Sequence, residues 1–143
     1  MAAPNSQPIF SYVADIQWVE SCTAANNTID ITSGTSYLVW TADATNGGYL
    51  DECRVKANPA NNTAATVCRF WLNNGSTTGT AANSAIIGEL SLPATTTSAT
   101  APLPDFSYPV KKAIPPGYRI YATFGTAPGG SAEFTVTGFG GKY

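Results

Sequence analysis

The chain has 143 residues, of which 43% are hydrophobic and only 11% charged, with a formal net charge of −2. That length suits one domain with a sizeable core, and a charged fraction under half the usual ~25% leaves solubility to Thr, Ser, Asn and Gly. The seven Lys and Arg are scattered and His is absent. These facts exclude a phosphate-tracking groove, a polybasic membrane patch and Cys/His zinc sites.

Met1 to Pro8 carries neither a positive n-region nor an apolar h-region, so no export signal or membrane span is expected. Asn26, Asn61 and Asn74 then begin chance Asn-x-Ser/Thr triplets rather than glycosylation sites.

Period-2 alternation bounded by Gly, Pro and Asn recurs along the chain, whereas helical periodicity is nearly absent. Ile9 to Val19 is aromatic-rich and reads as an arm or a first strand, within an N-terminal region 1–27 that precedes a single domain 28–143. Thr28 to Thr32 reads as a short strand. Thr35 to Thr41 reads as the next, with Leu38 and Trp40 opposing Tyr37 and Val39. After the Asn46-Gly47-Gly48 turn, Tyr49 to Ala57 places Cys53, Val55 and Ala57 on one face and Glu52, Arg54 and Lys56 on the other. Thr66 to Asn73 turns Cys68, Phe70 and Leu72 inward and Arg69 and Trp71 outward, and these two strands read as a hairpin.

Ser84 to Leu92 is a further strand, with Ile86, Leu90 and Leu92 on one face, and a short extended piece surrounds Phe106 and Tyr108. Tyr118 to Phe124 and Ala132 to Val136 read as a second hairpin around Ala127-Pro128-Gly129-Gly130. About eight strands at this spacing predict an all-β, antiparallel β-sandwich, for which the jelly roll is the eight-stranded form.

No catalytic constellation can be assembled. There is no His base, no Gly-x-Ser-x-Gly elbow and no phosphate-loop Lys. The nine carboxylates read as solvated strand faces and turn caps, and pairing Asp51 or Glu52 with Asp105 requires an assumed fold. No catalytic residue, metal ligand or cofactor is expected. Cys22, Cys53 and Cys68 read as small buried hydrophobes, with one Cys53–Cys68 bridge left open. Asn58, Asn61 and Asn62 are a weak calcium cluster, having no carboxylate nearby in sequence. Trp71, flanked by Arg69, and Tyr121 are candidate ligand contacts if Trp71 is exposed; packing against a neighbour is the competing expectation.

The stretch Ala64 to Tyr143 carries a strand ending in Leu72-Asn73-Asn74-Gly75. It continues with Ile86-Ile87-Gly88-Glu89-Leu90-Ser91-Leu92-Pro93, then Ile114-Pro115-Pro116-Gly117-Tyr118-Arg119-Ile120, and closes on Phe139-Gly140-Gly141-Lys142-Tyr143. With Val39-Trp40-Thr41-Ala42 upstream, it resembles the small jelly-roll head decoration, or cement, proteins of tailed bacteriophages. The resemblance implies a non-enzymatic homotrimer on the outer capsid surface of a virion, made in the host cytoplasm. Its partners would be the major capsid protein and itself, with no nucleic acid and no membrane. Ile9, Phe10, Tyr12 and Trp18 are the candidate capsid contacts. Two alternatives remain: a tail- or fibre-associated carbohydrate-binding β-sandwich, and a carbohydrate-binding module detached from an enzyme.

Overall fold

Each strand buries one face because alternate residues are apolar, and two such faces closed against each other make the core. The computed structural model describes residues 13–143. Its strands are β1 (Val13–Cys22), β2 (Tyr37–Thr41), β3 (Gly48–Ala57), β4 (Thr66–Asn73), β5 (Ser84–Leu92), β6 (Phe106–Ile114), β7 (Arg119–Phe124) and β8 (Phe134–Lys142). They form two antiparallel four-stranded sheets, ordered β1-β8-β3-β6 and β2-β7-β4-β5. We call these the first and second sheets. This order, in which the chain passes repeatedly between sheets, is the jelly roll.

Both expected hairpins are corrected by this topology. β3 and β4 lie in different sheets, as do β7 and β8; of the strands consecutive in sequence, only β4 and β5 pair. Alternation identifies the buried face of each strand, and that face is the same whether the chain folds back within a sheet or crosses to the other one. The β7–β8 crossing is held by Phe124 and Phe134, one from each sheet, whose rings stack at 5.2 Å.

Leu50, Cys53, Val55, Phe134 and Val136 line the core from the first sheet, and Trp40, Phe70, Ile120, Ala122 and Phe124 from the second; all are essentially buried. Each large apolar side chain buried there stabilises the fold by about 1.5–3 kcal/mol. Cys53 lies on β3 and Cys68 on β4, in opposite sheets; with Cys22 they are free, buried thiols, so the open question of a bridge resolves to none.

Bulges in β2 and β5 break the expected alternation. A register shift in β2 between Leu38 and Trp40 lets Val39 and Trp40 both point inward, against the expectation that they oppose each other. In β5, Phe70 pairs with Gly88 and Trp71 with Ile86, so Ile87 is the extra residue. Ile87 packs on the core with Leu90 and Leu92, and Ile86 is turned out into solvent, correcting the expectation that Ile86 shares their face.

Residues 28–32 form no strand. They belong to a loop built around Asn26, whose buried side chain donates to the carbonyls of Asp30 (2.7 Å) and Ser33 (2.9 Å) and accepts from the Thr28 hydroxyl (2.8 Å). Asn26 is thus a structural hub, which leaves it unavailable as a glycosylation site.

Candidate docking interface

β1 is an edge strand of the first sheet. Its side chains split by parity. Gln17 and Val19 turn toward the sandwich, and Val19 packs on the core. Ile16 and Trp18 point away from it and are 51% and 60% exposed. The jelly roll can bury only one face of each sheet, so these two side chains stay in water unless a partner covers them.

The rows of the sheet place their neighbours. Ile16 lies beside Phe139, which faces Glu52; Trp18 lies beside Thr137, which faces Arg54. The Arg54 guanidinium sits 5.0 Å from the Phe139 ring centroid and pairs with Glu52 at 2.8 Å. The Ser107 hydroxyl also donates to Glu52. That hydroxyl, with Arg54 second, holds the Glu52 carboxyl below its ordinary range. The outer face therefore joins an exposed aliphatic–indole pair to a half-covered aromatic ring and a charge pair. Such a mix of aromatic anchor, cation and polar surround is typical of protein-binding surfaces.

Of the candidate capsid contacts, Trp18 is on this face, in a strand hydrogen-bonded to β8. Ile9, Phe10 and Tyr12 lie outside the described residues. Ile16 and Phe139 were not singled out from sequence. Ile16 had a signal: it shares the parity of Trp18 and opposes Gln17 and Val19. Phe139 had one as well: it shares the parity of Thr135 and Thr137, opposite to that of the buried Phe134 and Val136.

The alternative ligand contacts form no stacking platform. Trp71 is on the outer face of the second sheet but only 9% exposed, with Ile86 and Tyr121 flanking it on the neighbouring strands. Its indole N–H donates to the Thr123 hydroxyl at 3.0 Å. Arg69 extends along the same face and pairs with Glu89 at 2.7 Å.

Several carboxylates are engaged structurally. Asp30 accepts from the backbone N–H groups of Thr32 (2.7 Å) and Ser33 (3.0 Å), and Asp43 from those of Thr45 (3.0 Å) and Asn46 (2.9 Å). Asp105 pairs with Lys56 at 2.8 Å. Asn58, Asn61 and Asn62 tie loops together through Glu133, the Ser131 carbonyl and Thr97 respectively. Among the described residues no group of three or more His, Cys, Asp or Glu is placed to hold a metal ion. Comparison with protein-family models, with curated proteins and with solved structures returns no match.

Proposed function

We propose that the chain is a head decoration protein of a tailed bacteriophage, binding the outside of the assembled head as a homotrimer and stabilising it. The observation that carries this reading is the Ile16–Trp18 pair, exposed on an edge strand that in sequence follows Ile9, Phe10 and Tyr12. Burial of an indole of this size at an interface contributes on the order of 2 kcal/mol. Three copies joined in a trimer multiply that modest contact by avidity. A protein that binds only the assembled shell then stabilises it by mass action.

Two further features support the reading. The low charge density reduces repulsion between copies packed on a shell. Asp30 and Asp43 cap turns and Glu52, Glu89 and Asp105 pair with cations, so five of the nine carboxylates are already engaged within the chain. Carbohydrate binding draws less support, because the ring that would have anchored a sugar, Trp71, is covered.

The test is the solution mass of the purified protein by light scattering coupled to size exclusion, followed by binding to heads that lack it. A stable species near three times the 14.9 kDa chain mass that binds those heads supports the proposal. A monomer with no affinity for heads overturns it.

A further inference from the structure

An open groove of about 520 Å³ lies at one end of the second sheet. Its walls include Asn27 and Ile29 from the loop before β2, Val67 and Arg69 from β4, and Leu92 and Pro93 at the end of β5. Two features distinguish it from a chance depression.

The first is Ile29. It is 62% exposed and its backbone sits at φ 58°. A β-branched residue in the left-handed region is a steric outlier, and such outliers persist only where the surroundings enforce them. Here the Asn26 hub enforces it, together with Asp30, whose carboxylate accepts from Thr32 and Ser33. No burial of the Ile29 side chain offsets the strain. The loop is held in a costly shape that presents an aliphatic group to solvent on the groove's rim.

The second is Arg69. Its side chain is only 14% exposed, and its Nε is fixed by Glu89. Among the described residues no acceptor engages its two terminal nitrogens. Gly125, also in the lining, lets one of them lie close: a Cβ there would come within 3.2 Å of Nη1. The groove therefore sets one guanidinium, oriented by Glu89, among the aliphatic groups of Ile29, Val67 and Pro93 and the polar ones of Asn27, Thr66 and Thr126. A guanidinium fork matches a carboxylate, and the aliphatic walls match aliphatic side chains rather than the faces of a sugar, for which no exposed ring lines the groove.

We propose that this groove binds a short segment of a partner protein in which an Asp or Glu is flanked by aliphatic residues, the carboxylate resting on Arg69 and an aliphatic side chain against Ile29. The site is on the sheet opposite Trp18, and the inference does not depend on the decoration reading.

The test uses the purified full chain and a capped pentapeptide with one glutamate among leucines and valines, followed by two-dimensional amide NMR. The expected result is saturable shifts at Asn27, Ile29, Gly125 and Thr126. The glutamine analogue, or the Arg69→Gln protein, should bind about tenfold more weakly or worse. Ile29→Gly should weaken peptide binding while raising Tm, because glycine relieves the backbone strain. No saturable shift, or equal binding of the glutamine peptide, overturns the proposal. So does glucuronate shifting these residues when the peptide does not, which would make the groove a site for acidic sugars. Ile29→Gly with lowered Tm and unchanged affinity would remove Ile29 from the site and overturn its assigned role.

Discussion

Gln17 and Thr41 form a rung between the two sheets that no backbone strand supplies. The Gln17 amide donates to the Thr41 carbonyl at 2.8 Å and accepts from the Thr41 N–H at 3.0 Å. A side-chain amide thereby satisfies both backbone groups of one residue on the edge of β2, as a paired strand would. Beside it the Trp40 indole donates to the Asp15 carbonyl at 3.2 Å, closing the same side of the sandwich. Gln17→Ala should destabilise the protein by about 1–3 kcal/mol, since two part-buried groups lose their partners. Gln17→Glu should cost at least as much above the carboxyl pKa, because a carboxylate cannot donate to the Thr41 carbonyl. Urea denaturation of the three proteins checks both; an unchanged midpoint would show that water replaces the rung.

The other open side of the sandwich closes on Gly88. The Tyr108 ring occupies the space a side chain would need: a Cβ on Gly88 would overlap it. The same phenol donates to the Ile87 carbonyl, and the ring stacks on Phe70 at 5.2 Å. Gly88→Ala should therefore destabilise by about 2 kcal/mol or more through overpacking. In a Tyr108→Leu background the same substitution should cost less, giving a coupling of at least about 0.5 kcal/mol in a double-mutant cycle. Additive costs would mean that the glycine is needed for its backbone alone.

The buried thiols set an alkaline limit to stability. Burial pushes Cys53 from 9.0 up to about 12, with the nearby Glu52 charge adding to it, and Cys22 likewise, there with Glu133. A group whose pKa is raised on folding contributes stability that is complete below the unfolded value. That contribution is lost as pH climbs toward the folded one. Between pH 9 and about 12 each such thiol should thus steepen the fall of unfolding free energy by about 1.4 kcal/mol per pH unit. Cys53→Ala should make that fall shallower by one such increment, whatever its constant cost in packing. Denaturation midpoints measured across this range give the slope; identical slopes for the two proteins would contradict the assignment.

Much of the sandwich was legible from residues 49–57 and 66–73, where alternation marked the approximate spans of β3 and β4 and the core-facing side chains Cys53, Val55 and Ala57 and Cys68 and Phe70. Three kinds of information were not local. Bulges at Val39 and Ile87 reverse parity within a strand, and no residue type announces them. Assignment to a sheet depends on partners distant in sequence, so β3 with β4 and β7 with β8 read as hairpins. The burial of Trp71 depends on Ile86, which faces out only because Ile87 is the extra residue. The loop at 28–32 misled because Ile29 and Ile31 mimic alternation, whereas the Asn26 and Asp30 side chains compete for the backbone groups that a strand would use. Of the docking surface, Trp18 was visible as an aromatic near the N-terminus and parity marked Ile16 and Phe139 as outward; the β1–β8–β3 pairing that sets them side by side was not local.

The central claim, that the Ile16–Trp18 face binds an assembled head, is tested most directly by co-sedimentation of the protein with purified heads that lack it. Trp18 is largely exposed, so Trp18→Ala should leave Tm and solution mass nearly unchanged. The account predicts saturable binding of the wild-type protein and binding weaker by about 30-fold or more for Trp18→Ala. Equal binding of the two proteins, or no binding of the wild type to assembled heads, would contradict it.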